Sequence, residues 1–105
     1  MRRGDVHRLR LPKGVGHEQH GERFGVVVQA DGLLPRSVVL VAPTSRSARA
    51  ASFRPEVDVA GSATRVLVEQ VAAVDAQRLG ARVRTLSAEE LWSVDDALRT
   101  VLGLD

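Results

Sequence analysis

Several residue types are missing or scarce in this chain of 105 residues. It has no cysteine and no tyrosine, and its only aromatic rings are two phenylalanines and one tryptophan. Without cysteine the chain forms no disulfide and no thiolate metal site, and no apolar stretch is long enough for a transmembrane helix. No apolar segment follows the basic start Met1-Arg2-Arg3, as a secretory signal requires. We therefore expect a soluble, cytoplasmic protein.

Lysine is also nearly absent, because Lys13 is the single one and every other basic residue is arginine. The net charge is only +2, although the calculated pI is about 10.4. The two values agree because few groups titrate between neutral pH and the arginine pKa above ~12. A small net charge does not predict nucleic-acid binding, whereas a local basic patch would. Arginine suits phosphate, but the codon usage of a GC-rich genome explains the composition equally well.

The hydrophobic pattern predicts one domain over residues 1–105, built from short strands and one terminal helix. Apolar residues make up 44% of the chain, which is enough for a packed core. The predicted strands are 6–11, 23–29, 37–42, 53–59, 65–71 and 82–86. Such a pattern favours a mainly β fold, a strongly curved antiparallel sheet or barrel with a C-terminal helix.

The helix is predicted over residues 87–102. Ser87 and Glu90 match a capping box, apolar residues recur at helical spacing, and Gly103 is placed to end it. We interpret Trp92 as a core or interface residue. A short helical turn is also predicted at 75–79, and Gly61-Ser62 reads as a turn.

Two polar segments are predicted as loops, residues 12–22 and 44–51. The first holds His17, Glu18 and His20 and leads into a valine-rich strand, and loops mounted on rigid elements commonly carry function. The two histidines and the carboxylate could suggest a metal site. The loop lacks the regular spacing that would fix metal ligands, so we predict none.

Four segments, in order along nearly the whole chain, match the motifs of one protein family. They are Arg3-Gly4-Asp5-Val6, the stretch 16–23 (Gly-His-Glu-Gln-His-Gly-Glu-Arg), Ala42-Pro43-Thr44-Ser45, and Glu69-Gln70 with Val74-Asp75 and Arg78-Leu79 after it. Together they resemble the MazF/PemK/Kid toxins of bacterial toxin–antitoxin systems. The resemblance implies an SH3-like β-barrel with a C-terminal helix, usually a homodimer. It also implies a metal-independent endoribonuclease that cuts single-stranded RNA and is silenced by a cognate MazE-like antitoxin.

The resemblance assigns catalysis first to Arg23 and Thr44. Cutting RNA without a metal requires the ribose 2′-hydroxyl to attack the adjacent phosphorus, which leaves a 2′,3′-cyclic phosphate and a 5′-hydroxyl. Arg23 suits a phosphate clamp, because its pKa is too high for a base. Glu18 is a candidate proton acceptor or a partner that orients Arg23, and His17 is a candidate proton donor. The alternatives are a surface ion pair for Arg23, turn chemistry for Thr44 and a solvated His17.

Further residues are candidate RNA contacts. They are Ser45, Lys13, Arg46, Arg49, Arg65, Glu69 and Gln70. For Arg46 and Arg49, a solvated loop face is an equal alternative. Because aromatic residues are only 3% of the chain, we expect bases to be read by arginines and backbone groups rather than by stacking. The RNA is expected to be mRNA, with tRNA and rRNA as alternatives.

The chain departs from the family pattern in three places. Phe24-Gly25 stands where the family has proline, Leu67 stands where Kid-like members have an arginine, and the Pro43-Thr44-Ser45 segment is one residue short. Glu69 can supply the neighbouring acid, and Arg65 is a candidate substitute for the arginine because it lies on the same strand face. Two alternatives stay open: a non-nuclease of the same fold, like the gyrase poison CcdB, and a degenerate toxin that only binds its antitoxin.

Overall fold

A computed structural model of the protein describes residues 1–11 and 21–104. Within these residues the chain forms seven strands, one α-helix and three short 3₁₀ turns. The strands are β1 (Asp5–Leu11), β2 (Gly21–Val27), β3 (Val38–Ser45), β4 (Glu56–Val59), β5 (Ser62–Val66), β6 (Ala72–Asp75) and β7 (Leu79–Thr85). The 3₁₀ turns are Asp31–Leu33, Val68–Gln70 and Ala76–Arg78, and the helix α1 is Ala88–Leu102.

The strands pair antiparallel in the order β4-β5-β3-β2-β1-β7, and β6 also pairs with β3. The long strand β3 has two partners on the edge opposite β2. Its residues 38–41 pair with β6, whereas Thr44 and Ser45 pair with β5. Because one strand serves both neighbours in turn, the sheet curls around β3. The predicted curved antiparallel sheet with a C-terminal helix is confirmed.

Two apolar clusters fill the two faces of the curled sheet. Neighbouring residues of one strand supply both, because successive side chains point to opposite faces. Val26 belongs to the cluster beneath α1, whereas Val27 belongs to the cluster near β6. Both side chains are fully buried, and burying a valine stabilises the fold by roughly 1.5–3 kcal/mol. The run Val26–Val28 is therefore apolar throughout because β2 is covered on both sides.

The ends of α1 follow the predicted signals. The Glu90 amide donates to Ser87 Oγ at 3.1 Å and the Ser87 amide donates to Glu90 Oε1 at 2.8 Å, which confirms the capping box. Gly103 adopts φ of 70° after the last turn. Trp92 is 76% exposed, so its interpretation as a core residue is wrong. It lies on the side of the helix away from the buried Val94, and an interface role stays a prediction.

The predicted end of the third strand is also wrong, because β3 continues through Pro43 to Ser45. Proline lacks an N–H but keeps its carbonyl, and that carbonyl accepts the Leu67 amide at 2.8 Å. The strand is therefore not interrupted. Thr44 and Ser45 belong to the sheet rather than to the predicted loop at 44–51.

Other boundaries moved for local reasons. The strand predicted at 65–71 spans Ser62–Val66, and residues 68–70 turn instead as a 3₁₀ segment. Strand β6 was not predicted, because its alanines carry no alternating pattern. The turn predicted at Gly61-Ser62 lies one residue earlier, at Ala60 and Gly61, with φ of 52° and 80°, as a tight hairpin requires. The 3₁₀ turn at Ala76–Arg78 confirms the helical turn predicted near residue 75.

Most of the predicted loop at 12–22 lies outside the described residues, and β2 already begins at Gly21. Among the helices that the structure does describe, none is long and apolar enough to cross a membrane.

Candidate active site

A cavity of about 480 Å³ lies at the end of β3, and three parts of the chain form its walls. The start of β2 forms one wall, the end of β3 with the segment after it forms the second, and the β4–β5 hairpin forms the third. The lining residues are Arg23, Phe24, Thr44, Ser45, Arg46, Ser47, Val59, Ala60, Ser62 and Thr64. The volume falls within the range of about 300–1,000 Å³ that small-molecule sites occupy.

Strand pairing explains why distant residues meet at this cavity. Gly25 pairs with Pro43 across β2 and β3, which sets Phe24 beside Thr44. Glycine is required for this approach: a Cβ on Gly25 would lie 2.5 Å from Val41 Cγ1 and 2.8 Å from Leu9 Cδ2. The register of β2 on β3 therefore places Arg23 and Phe24, which follow the predicted loop at 12–22, against the Thr44 end of β3.

The cavity holds three hydroxyl groups that are nearly buried and only loosely bonded. Thr44 is 2% exposed, Ser45 is 7% exposed and Thr64 is 4% exposed. Thr44 Oγ1 donates to the Phe24 carbonyl at 3.3 Å, and Ser45 Oγ shares a 3.3 Å contact with Ser47 Oγ. Thr64 Oγ1 has no hydrogen-bond partner among the described residues. Hydroxyl hydrogen bonds are usually 2.7–2.8 Å long, so these groups could bond a bound ligand at low cost.

Two arginines lie on the same cavity. Arg23 and Arg46 are both exposed and both line its wall. A guanidinium near several hydroxyls can bind a phosphate group, since its planar fork bonds two oxygens and the hydroxyls donate to others. The structure thus brings together Arg23, Thr44, Ser45 and Arg46, four of the residues predicted from the sequence.

Sequence reasoning missed the other six residues that line this cavity, of which Phe24 and Thr64 matter most for the arguments below. The guanidinium carbon of Arg8 lies 5.6 Å from the Phe24 ring centroid. The signal for Phe24 was present, because it immediately follows Arg23 and replaces an expected proline. The sequence signal for Thr64 was weaker. Thr64 and Val66 are two residues apart on β5, which places both side chains on the inner face of the sheet.

Four other predicted RNA contacts do not line the cavity: Arg49, Arg65, Glu69 and Gln70. Arg65 donates to the Arg54 carbonyl at 2.9 Å and approaches Glu56 at 3.5 Å. Glu69 accepts from Arg54 at 2.6 and 2.7 Å. The suggestion that Arg65 replaces the arginine missing at Leu67 is not supported by this placement. Contacts of these four residues with RNA stay predictions.

Three further predicted residues lie outside the described part of the chain. They are Lys13, His17 and Glu18. His20, the second histidine of the same segment, also lies outside it. Within residues 1–11 and 21–104, no group of three or more acidic or histidine side chains is placed to hold a metal ion.

Among the described side chains, the carboxylates with clearly shifted pKa values lie away from the cavity, in what we call the β7–α1 corner, defined by Asp5, Arg84, Thr85, Ser87 and Glu90. Burial acts to raise the pKa of Asp5, but hydrogen bonds from Thr85 and the Arg2 amide, with the charge of Arg82, outweigh it and lower the pKa. For Glu90, burial is likewise outweighed by bonds from the Ser87 amide and Arg84, which lower its pKa. Shifted pKa values often mark functional sites, but here the causes are bonds that hold the fold.

The chain matches a protein family over nearly its whole length. The family model, described as PemK-like, MazF-like toxin of type II toxin–antitoxin system, matches residues 2–102. A protein of Mycobacterium tuberculosis (strain H37Rv), named as a candidate toxin, is 41% identical over 104 residues, which cover 97% of each chain. The chain therefore belongs to the PemK-like, MazF-like family of toxins of type II toxin–antitoxin systems. The resemblance predicted from the sequence motifs is confirmed.

Solved structures show the same fold. MazF from Deinococcus radiodurans superposes with a TM-score of 0.84 at 22% identity, covering 99% of this chain and 97% of that chain. An endoribonuclease from a mycobacterial species, in complex with its cognate antitoxin, gives a TM-score of 0.78 at 16% identity, covering 100% of this chain and 97% of that chain. At these identities the likeness establishes the fold alone.

Proposed function

We propose that this chain is a toxin that acts as an endoribonuclease and cuts single-stranded RNA at short sequences without a metal ion. Cleavage of mRNA would inhibit translation and growth. Membership of the toxin family supports the class. The observation that carries the specific activity is the cavity that joins Arg23 from β2 with the Thr44 and Ser45 hydroxyls from β3.

In the proposed reaction the scissile phosphate binds beside Arg23, and Thr44 and Ser45 donate hydrogen bonds to its oxygens. These contacts stabilise the additional negative charge that develops as the ribose 2′-hydroxyl attacks the phosphorus. The P–O5′ bond breaks, which leaves a 2′,3′-cyclic phosphate and a 5′-hydroxyl. Glu18 is proposed to accept the 2′-hydroxyl proton and His17 to protonate the departing 5′-oxygen.

The partners proposed for this chain follow from its relatives. One structural neighbour is described as an endoribonuclease in complex with its cognate antitoxin, and we propose a MazE-like antitoxin as the natural inhibitor here. We also propose that residues 1–105 act as one toxin domain, that two copies form a homodimer, and that the protein works in the cytoplasm on mRNA, tRNA or rRNA.

The test is an RNA cleavage assay with a chelator present. Purified protein is incubated with long single-stranded RNA, and the new 5′ ends are mapped. Arg23→Ala and Thr44→Ala should each abolish cleavage, because each removes a group that binds the phosphate. Thr44→Ser keeps a hydroxyl and should retain activity.

Arg99→Ala is the matched control. Arg99 is exposed, lies outside the cavity lining and pairs with Asp96 on α1 at 2.8 Å, so its removal should leave cleavage unchanged. Full cleavage by both Arg23→Ala and Thr44→Ala would contradict the proposed site. RNA left intact by the wild-type protein would contradict the nuclease activity itself.

A further inference from the structure

The described lining of the cavity includes a single aromatic ring, that of Phe24. The residue is half-buried, and its ring packs against the apolar cluster beneath α1. Its carbonyl accepts the Thr44 hydroxyl at 3.3 Å. The ring is therefore attached to the core on one side and stands next to the groups proposed to bind phosphate on the other.

Arg8 supports the ring from the neighbouring strand. It is directly opposite Phe24 in the β1–β2 pair, and its guanidinium carbon lies 5.6 Å from the ring centroid. That separation is within the roughly 6 Å at which a cation is attracted to an aromatic face. Arg8 is exposed, so it also adds positive charge beside the Phe24 ring.

The low aromatic content of the chain predicted base reading without stacking, but from this placement we infer that Phe24 is the stacking platform for one base of the bound RNA, with Arg8 as the positioning residue beside the ring. The inference rests on the proposed function, because it takes single-stranded RNA as the ligand. A phosphate held by Arg23 and Thr44 carries its bases one ribose away, and the adjacent wall offers them an aromatic surface. Every base has a π-face, so a single ring can hold a base of any sequence.

A second pair of the same kind provides the control. The guanidinium carbon of Arg54 lies 5.5 Å from the Phe53 ring centroid, and Phe53 packs, half-buried, against the same apolar cluster as Phe24. Phe53 does not line the cavity. The two rings therefore share their support and their packing but differ in access to the ligand.

The experiment measures binding separately from cleavage, by fluorescence anisotropy. The probes are a labelled random-sequence octamer of 2′-O-methyl RNA, which lacks the attacking hydroxyl, and an abasic oligonucleotide of the same length and charge. Phe24→Leu should weaken binding of the octamer by about 5- to 150-fold, the loss expected for one stacked base. Its binding of the abasic probe should not change.

Three further variants complete the test. Phe24→Trp keeps an aromatic face and should retain tight binding of the octamer, and Phe53→Leu should alter neither probe. Arg8→Gln should weaken binding of the octamer less than Phe24→Leu, since it leaves the ring in place. Melting temperatures of all variants establish that each is folded.

Each possible outcome either supports or contradicts the stacking role of Phe24. Equal loss of both probes by Phe24→Leu, or no loss of either, would overturn the stacking role even if the wild-type protein cleaves RNA. Selective loss of the octamer would support stacking even if the wild-type protein cleaves nothing, in which case the nuclease proposal fails alone. If the wild-type protein binds neither probe, the stacking proposal falls, whereas the nuclease proposal is decided separately by the cleavage assay.

Discussion

The β7–α1 corner and the cavity at the end of β3 both contain buried polar side chains, but they treat them in opposite ways. In the corner, Asp5 is 1% exposed and accepts hydrogen bonds from Thr85 Oγ1 at 2.7 Å and the Arg2 amide at 2.9 Å. In the cavity, Thr44 makes a 3.3 Å bond and Thr64 has no partner in the described structure. The corner satisfies its polar groups with hydrogen bonds inside the protein, whereas the cavity hydroxyls have long hydrogen bonds or, for Thr64, none among the described residues.

This difference separates stability from function. A buried polar group without a partner costs about 1–3 kcal/mol, and natural proteins tolerate such costs mainly at functional sites. Substitutions in the corner should therefore destabilise the protein, whereas substitutions of Arg23 or Thr44 in the cavity should remove activity from a protein that stays folded. The following predictions test that separation.

The largest effect is expected for Arg23→Ala. Removing one group that stabilises transition-state charge typically lowers kcat by about 10²–10³-fold, so the RNA should stay intact over the time in which the wild-type protein digests it. Because Arg23 is exposed, the melting temperature should hardly change. The cleavage rate of Arg23→Lys should lie between those of the wild type and Arg23→Ala, since an ammonium keeps the charge but not the planar fork. Single-turnover cleavage of RNA measures both. A matching fall in melting temperature would instead assign Arg23 to the fold.

Asp5→Ala should produce the corresponding loss of stability. It removes the acceptor of two charge-assisted hydrogen bonds and leaves Thr85 Oγ1 without its partner, which should cost about 3 kcal/mol. Urea denaturation measures this change. Under conditions in which Asp5→Ala is still folded, its cleavage rate should match that of the wild type. A loss of activity without a loss of stability would contradict the purely structural role of the β7–α1 corner.

The corner should also make stability depend on acid pH. The pKa values of Asp5 and Glu90 are lowered in the folded protein, so their contribution is complete above the ordinary values of 3.8 and 4.5. It is lost as the pH falls through the lower folded values. Urea denaturation at pH 7 and at pH 3 should show this loss, and Glu90→Gln should lose less on acidification. Identical pH dependence of the two proteins would refute the assignment.

The smallest effect is expected for Thr64→Val, and it has the opposite sign. The substitution keeps the shape but removes a buried hydroxyl that lacks a partner, so stability should rise by about 1 kcal/mol. Thr100→Val is the control, because Thr100 Oγ1 donates to the Asp96 carbonyl at 3.1 Å on the exposed side of α1. A loss of stability in Thr64→Val would show that its hydroxyl is satisfied within the fold.

Local signals in the sequence predicted part of the fold well. The capping box of Ser87 and Glu90 and the buried valines of β2 each act within a few residues. Strand β6 had no such signal, since Ala72 and Ala73 join the sheet only because β3 offers them an edge. The extension of β3 through Pro43 likewise depends on the Leu67 amide, which is distant in sequence.

The candidate site was predictable only in part for the same reason. Family motifs indicated Arg23, Thr44 and Ser45 as members of one site. Their meeting depends on the register of Gly25 with Pro43, which is a property of the paired strands. The placement of Phe24 and Thr64 on the cavity wall follows from that pairing and from the β4–β5 hairpin, so the local signals at these two residues could not by themselves show that they share one wall.

We propose that this cavity cleaves RNA by attack of the ribose 2′-hydroxyl on the adjacent phosphorus. The most direct test is mass spectrometry of the fragment ends after digestion of single-stranded RNA by the wild-type protein and by Arg23→Ala, with a chelator present. We expect 2′,3′-cyclic phosphate and 5′-hydroxyl ends in the wild-type digest, and intact RNA after incubation with Arg23→Ala. Intact RNA in both, or fragments with 5′-phosphate ends, would contradict it.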